Sequence, residues 1–496
     1  MFRSRKRQTK LATKKESGEL MLRMELRVCK VNFAQPDVRL IFKTLSESGT
    51  WLPASFEAQG RFAQLASMPV DQDLRFSTRT VARRLQGMGE IQGDVFFRED
   101  SILFLVNVHS ENPSFEQFRY EFGLDGVREI SEVALSEGGL LIGIATTLTD
   151  YVQILDEFSL AVAEAIRSSF DGRKIRYMKL DWEPVSAERD LFDSLRERLA
   201  AEGIEPAFSR AELSPELSLG AQVLADKSAR GLIRELSEAG FAREADVLTR
   251  RGRKEDEVRA ALGSLKDAGL VVTEHLLTCR HSTAPLTRIT DPAELENPIV
   301  GNLRCGKCNR TYNQELLSEG HSLSGLGQGL SRGNHWMTVW VAERLTELGA
   351  PLEAQYWNIE ESGEEVDIIL SFLGRLWIFE LKDRDFSAGD AHPFNYRRVR
   401  YRADEAVIIT TGKVMPDAKR VFEDLSGGSR RGGAGGRGPT FIEGLANVTP
   451  GLRDQFDTAA LRRAMSVLRL PSAITGYDLE KVLRSKTEAK LPDGAA

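Results

Sequence analysis

Two short stretches in the C-terminal third carry groups that could act together on a phosphodiester. Glu365-Val366-Asp367-Ile368-Ile369-Leu370 sets a carboxylate in an apolar run, and Leu376-Trp377-Ile378-Phe379-Glu380-Leu381-Lys382 sets a carboxylate and an ammonium at alternate positions of another. Both read as strands, joined by a tight turn at Leu373-Gly374-Arg375. The two-residue side-chain period of a strand puts Glu380 and Lys382 on one face. With Asp367 they form two carboxylates and an ammonium beside one sheet edge, at the exposed polar ends of the strands. Such a set is a cradle for a divalent metal and the water it activates. A lysine inside an otherwise apolar strand is poorly explained by packing. The plainer reading is a surface salt-bridge triad with no metal.

A second group lies upstream. Cys279, His281, Cys305 and Cys308 fall within 30 residues, and this window holds three of the four cysteines in the chain. Cys305-Gly306-Lys307-Cys308 has the spacing of a metal knuckle, with the glycine expected to let the chain turn so that both sulfurs face one ion. A structural Zn²⁺ site needs four soft or borderline ligands in a tetrahedron. The first half is irregular: Cys279-Arg280-His281 has a one-residue gap where two are usual, and His275 rivals His281 as fourth ligand. The segment is short of apolar residues, so a metal would hold together what packing cannot.

Length and composition bound the rest. At 496 residues the chain is expected to hold two to four domains. It is 41% hydrophobic and 28% charged, ordinary for a globular protein. Apolar runs such as 138–145 are too short to span a bilayer, and the basic start, Met1 to Lys15, has no apolar run behind it. No membrane role is expected. Few cysteines point to a reducing, cytoplasmic location. The net charge of −6 weighs against a dedicated double-helix binder, but basic patches at 3–15, 250–254, 397–402 and 430–437 could meet a phosphate backbone.

The elements that must position these residues fall into five segments. Residues 1–20 read as a basic disordered tail. Residues 21–185 read as a mixed α/β domain of unassigned role, with strands at Leu22–Val31, Val95–His109, Ile142–Thr146 and Lys174–Leu180 and helices at Ser77–Met88 and Asp150–Ser169. A protein partner or a second copy of the chain would dock through this half. Residues 186–275 read as helical, with helices at Ser186–Ala201, Asp226–Ala239, Ala242–Leu248 and Lys254–Ala268 before a strand at Leu270–Thr273. Three helices and a strand resemble a winged helix, although Glu255, Asp256 and Glu257 on its last helix would repel phosphate. Residues 276–330 read as a zinc-ribbon-like insert followed by a Gly/Ser hinge, whose glycines lack the Gly-Lys-Ser/Thr of a phosphate-binding loop. Residues 331–496 form the last domain.

In that domain the order is a helix at Trp336–Leu348, strands at Ala354–Ile359, Glu365–Phe372 and Arg375–Leu381, a basic helix at Pro393–Tyr401, a strand at Glu405–Thr410, a helix at Asp417–Leu425, a strand or turn at Thr440–Gly444 and a helix at Pro450–Leu468. This implies an α/β/α sandwich around a mixed sheet, within a multidomain α+β and α/β chain. Four tryptophans, Trp336, Trp340, Trp357 and Trp377, read as core, and His321 and His335 as loop or cap residues. The Asp383-Arg384-Asp385 run reads as solvated, with Asp383 close enough to the site to matter.

Over residues 333–450 this arrangement resembles the restriction-endonuclease-like, or PD-(D/E)xK, nuclease superfamily. Asp367 matches the family aspartate, Glu380-Leu381-Lys382 its acidic-x-lysine signature, and Glu343 the acidic residue of the preceding helix. Val366 stands where the family has proline. The resemblance implies Mg²⁺ or Mn²⁺ held by Asp367 and Glu380, with the Leu381 carbonyl as a further ligand, and Lys382 orienting or deprotonating the attacking water. It implies that Glu343 holds a second metal or a metal-bound water. Asn395, Arg397, Arg398 and Arg400 would clamp flanking phosphates, with His392 a weaker candidate on the substrate side. The expected function is a metal-dependent endonuclease acting on DNA, in bacterial antiviral defence or DNA processing. The alternatives are a non-catalytic DNA-binding or assembly protein on a nuclease-like scaffold, and an RNase or a nuclease activated by a ligand.

Overall fold

The computed structural model describes residues 22–29, 38–47, 49–51, 93–98, 100–108, 139–169, 180–185, 193–195, 197, 200–201, 213–249, 254–361, 364–427, 438–475 and 478–488. The basic tail, the helices expected at 77–88 and (but for a few positions) 186–201, the strand expected at 174–180 apart from Leu180, and the Arg-rich stretches at 250–253 and 430–437 lie outside them. The chain is a mixed α+β, multi-unit protein that divides into two compact units. One comprises Met1–Leu195, Ser371–Arg375 and Leu452–Ala496, and the other Arg196–Leu370 and Leu376–Gly451. Among the described residues no helix is long and apolar enough to cross a membrane.

The first unit is built on five strands: Arg23–Cys29 (β1), Gly93–Arg98 (β2), Ser101–Val108 (β3), Gly139–Thr146 (β4) and Glu183–Pro184 (β5). They lie in the order β2-β3-β4-β1-β5, each pair antiparallel. The inner strands β3 and β4 are apolar on both faces over most of their length, because both faces are covered. Phe96, Leu103, Leu105, Ile142 and Ile144 pack on helices Val38–Glu47 (α1) and Tyr151–Ser169 (α2). The alternate residues Val95, Ile102, Phe104, Val106 and Leu141 pack on Ala464, Leu468, Leu479 and Leu483 of the C-terminal helices Val448–Thr475 and Leu479–Glu488. The last 45 residues therefore group with the N-terminal sheet, not with the domain expected to run from 331 to 496. An amphipathic helix announces an apolar face, but not which distant sheet will cover it.

The second unit begins with helices Pro215–Leu224 (α3) and Lys227–Ala239 (α4). Asp226 caps α4 by accepting from the Ser228 and Ala229 amides at 2.9 Å, and Gly240 closes it at φ +68°. There follow Ala242–Arg243 (β6), Glu244–Leu248 (α5), Glu255–Asp267 (α6), Val271–Thr278 (β7), Pro285–Ile289 (β8), Pro298–Gly301 (α7), Leu316–Leu323 (β9) and Gly325–Ser331 (α8). The four strands form one sheet in the order β6-β9-β7-β8. β7 and β9 pair over eight residues, from Val271↔Leu323 to Thr278↔Leu316, so residues 279–315 leave and rejoin a single antiparallel pair. The expected boundary between 275 and 276 falls inside β7. The expected Gly/Ser hinge is instead the ordered pair β9 and α8. A Cβ on Gly327 would lie 2.1 Å from the Leu270 carbonyl oxygen, so that glycine is needed for close packing and not for mobility.

The rest of this unit holds helix His335–Glu347 (α9), strands Gln355–Glu361 (β10), Glu364–Phe372 (β11) and Arg375–Lys382 (β12), helix Ala388–Arg400 (α10), strand Glu405–Thr410 (β13), helix Pro416–Gly427 (α11) and strand Thr440–Glu443 (β14). The sheet order is β10-β11-β12-β13-β14. β10 and β11 run antiparallel, while β12, β13 and β14 are mutually parallel. β12 is thus the central strand. Leu373 and Gly374 at φ +56° and +67° make the two-residue turn that folds β11 onto β12. All four tryptophans expected in the core are buried.

Candidate functional site

The hairpin brings Asp367, Glu380 and Lys382 together. Lys382 Nζ lies 2.7 Å from Glu380 Oε1, and the Leu381 amide donates to Asp367 Oδ2 at 2.6 Å. The three groups are not at exposed strand ends: Asp367 is 8% and Glu380 3% exposed. The reason is the sheet order, which places β11 and β12 each between two neighbours, and α10, which lays Arg397 against Glu380. A surface triad at a sheet edge does not describe this arrangement.

Burial, and then the charge of Glu380, push the Asp367 carboxyl up to about 8, with Lys382 and the Leu381 amide opposing. Burial works to lower the Lys382 ammonium, but Glu380 and Asp367 outweigh it and hold that group raised. In this arrangement Lys382 is a cation, suited to stabilising charge and poorly suited to accepting a proton.

The basic helix α10 contributes differently than expected. Arg397 points inward, 8% exposed, and its Nη2 donates to Glu380 Oε2 at 2.6 Å. It is an internal counter-ion of Glu380, not a clamp on flanking phosphate. Position 397 lies one turn from the buried Phe394, and that is the face α10 packs inward. Arg398 is partly buried, which lowers its guanidinium, with Glu405 opposing. Arg400 donates to the Tyr396 hydroxyl at 3.2 Å, Asn395 is half-buried, and His392 is exposed.

Among the described residues no hydrogen bond or ion pair links Glu343 to Asp367, Glu380 or Lys382. Glu343 sits toward the C-terminal end of α9, its Oε2 3.8 Å from Arg344 Nη2, and burial raises its carboxyl with Arg344 opposing. The further acid that acts on Asp367 is Glu365, two residues before it on β11. The Asp383 side chain is also unlike the solvated residue expected: 8% exposed, it pairs with Arg230 at 3.1 Å and Arg234 at 3.2 Å and accepts from the Thr411 hydroxyl at 2.9 Å. Arg230 in turn lies over the Trp336 ring at 5.0 Å. This network braces the chain that leaves Lys382 against α4.

The excursion between β7 and β9 gathers Cys279, Cys305, Cys308 and Glu315, with ligand atoms all within 4.8 Å of one another. Two turns of the same design build it. The Cys279 amide donates to the Ala284 carbonyl and the Thr283 amide to the Cys279 carbonyl, each at 2.8 Å; Cys305 and Asn309 repeat both bonds with Arg310 and Cys305 at 2.9 Å. Thr283 and Asn309 take φ +54° and +60°. The left-handed residue of the second knuckle is therefore Asn309 and not Gly306. Each first sulfur accepts an amide at 3.4 Å, from Ser282 and from Lys307. In this register Ser282 stands where the second knuckle has Cys308, and the fourth ligand position is taken by Glu315 from the turn before β9.

His281 lies in the exposed tip of the first turn, and His275 lies on β7 opposite Ile289; neither belongs to the group. Hydrogen bonds from Ser282 lower the Cys279 thiol to about 6, whereas Glu315 raises that of Cys308 to about 12. Cys308 Sγ shares its proton with Glu315 Oε1 at 2.8 Å. Three sulfurs and a carboxylate gathered this closely suit a metal ion such as zinc, which would take the place of the proton between Cys308 and Glu315. No spacing rule pointed to Glu315, since it is brought in by the antiparallel return of β9.

No family model matches the chain, and no curated protein matches it. Among solved structures it is similar to protein VC1899 from Vibrio cholerae, with 13% identity over 54% of this chain and 62% of that one, at a TM-score of 0.33. The match covers less than two thirds of that protein, and a likeness this loose assigns neither fold nor function.

Proposed function

We propose that the pocket on β11 and β12 is the catalytic centre of a metal-dependent nuclease of the PD-(D/E)xK kind, acting on DNA. The observation that carries this is the burial of Asp367 beside Glu380 on a central hairpin, with Lys382 on the same face as Glu380. Two buried carboxylates side by side repel, and burial first, then that repulsion, raises the Asp367 carboxyl. A divalent cation removes the conflict without a proton, so the donor set fits Mg²⁺ or Mn²⁺ held by Asp367, Glu380 and the Leu381 carbonyl. When bound, the ion supplies Lewis-acid polarisation of the phosphate and a more acidic water.

The chain supplies the rest. Arg397 fixes Glu380 and keeps its carboxylate in place once Lys382 turns toward substrate. Lys382, as a cation, balances charge that develops on the scissile phosphate. Arg230 and Arg234, through Asp383, hold the segment beyond Lys382 and so its orientation. We read α4, α5 and α6 with β6, β7 and β9 as a winged-helix-like module whose wing carries the thiolate cluster as a structural zinc site.

One observation favours a second reading, a non-catalytic scaffold: both Glu380 oxygens already pair with cations, Lys382 and Arg397. The deciding experiment offers circular and linear duplex DNA, single-stranded DNA and RNA to the full chain with Mg²⁺, Mn²⁺ or EDTA. Cleavage of duplex DNA that EDTA stops supports the proposal. Cleavage of RNA alone would change the substrate, and no cleavage of any of them favours the scaffold.

A further inference from the structure

A third set of ligating groups lies away from both sites, and neither the nuclease reading nor the thiolate cluster uses it. β9 carries Glu319 and His321 two residues apart, hence on one face. The short pairing of β6 with β9, Ala242↔His321 and Arg243↔Gly320, brings the start of α5 alongside, and with it Glu244. The ligand atoms of Glu244, Glu319 and His321 all lie within 4.8 Å of one another.

The histidine is what makes this more than a pair of surface acids. His321 is fully buried, and among the described residues neither ring nitrogen has a hydrogen-bond partner. A buried donor and acceptor left unsatisfied is costly and uncommon in a native fold. Glu244 Oε2 lies 3.4 Å from Nε2, too poorly aligned for a good hydrogen bond. Arg259 and Lys266 approach the two carboxylates at 3.6 Å each. They leave the imidazole itself unsatisfied.

We propose that His321, Glu319 and Glu244 form a second divalent-cation site, of the borderline class that accepts an imidazole with carboxylates, such as zinc or manganese. The ion would satisfy the buried nitrogen and tie α5 to β9. That strand starts one residue after Glu315, so the two sites would anchor it near its start and near its end.

The test uses the full chain with its thiolate cluster already filled with zinc and its histidines labelled with ¹⁵N. Further Zn²⁺ should move the nitrogen signals of one of the six histidines into the metal-bound range, and Mn²⁺ should broaden the same signals. Those signals should be missing from His321→Gln. Glu319→Gln, at a half-exposed position where folding is not at risk, should keep the signals but weaken the ion by at least about tenfold. Among the described residues neither the thiolate cluster nor the Asp367 group contains a histidine, so ions entering them do not mimic this readout. The proposal is overturned if no imidazole signal moves in a large excess of either ion, or if the signal that moves survives in His321→Gln. If His321→Gln does not fold, unchanged affinity in Glu319→Gln overturns it alone.

Discussion

The Asp367 pocket and the thiolate cluster are both built for positive charge, but on opposite plans. The pocket lies in the centre of a sheet, where Ile368, Ile378 and Phe379 are fully buried and would fold with or without an ion. It supplies its own cations, Lys382 and Arg397, and its burial raises the Asp367 carboxyl. The cluster lies on an excursion of turns where Ile299 is 79% and Leu303 50% exposed, and it has little apolar core. Its ligands come from two turns and a strand return, and backbone amides and the Cys308 proton are what they lean on. The lesson is that the first site should tolerate loss of its ligands and lose chemistry, whereas the second should lose structure.

The largest effect should therefore be catalytic. Glu380→Gln and Lys382→Ala should each slow cleavage by at least about 10²–10³-fold, the scale of losing one preorganised charge at a reacting centre. Their melting curves should stay near wild type, and a collapse of the fold in either would erase the contrast. Next comes zinc. Chelation, or Cys305→Ser, should destabilise the second unit by several kcal/mol, since metal affinity in such turns is folding free energy. Competition with a chromophoric chelator should show Glu315→Gln weakening zinc by about tenfold or more, while His281→Ala and His275→Ala leave it unchanged. The reverse order would return a histidine to the site.

A third expectation concerns pH in metal-free protein. Asp367 ionises near its ordinary 3.8 when unfolded and near about 8 when folded. Between those values the native state holds a proton that the unfolded state has released, so stability falls as pH rises from about 4 to about 8 and levels off above. Urea midpoints across that range should show the slope in wild type and its loss in Asp367→Asn. A slope that survives the substitution would remove the strain from Asp367. The smallest effect separates two arginines of α10. Arg400→Gln should lower the log–log salt slope of DNA binding by roughly one, and Arg397→Gln should leave it unchanged, because Arg397 is spent on Glu380.

What could be read from the sequence follows the range of the interactions. The helices α4, α6 and α9, the β11–β12 hairpin and its turn were legible because period, caps and Leu373-Gly374 act within a few residues. Asp367, Glu380 and Lys382 were legible as a set for the same reason. Their burial was not, because it depends on β13 and β14, which arrive later in the chain. Arg397 read as a surface clamp since charge is visible in a sequence and the face it occupies is not. Cys305 and Cys308 were legible from spacing, but Glu315 and the buried His321 enter through β9, and strand pairing over such distances leaves no local mark. The helices beyond residue 448 read as part of the last domain because nothing in them names the distant β1–β4 sheet they cover.

The account stands most directly on one paired measurement, cleavage and thermal stability of wild type and Asp367→Asn from matched preparations, with and without Mn²⁺ at pH 7.5. Asp367→Asn removes the repelling carboxylate while keeping its size and its acceptor for the Leu381 amide. The account predicts a variant that is at least as stable as wild type without metal, gains no stability from Mn²⁺ at this pocket, and does not cut DNA. A variant that cuts at the wild-type rate, or a wild type that neither cuts nor gains stability from Mn²⁺, would contradict it.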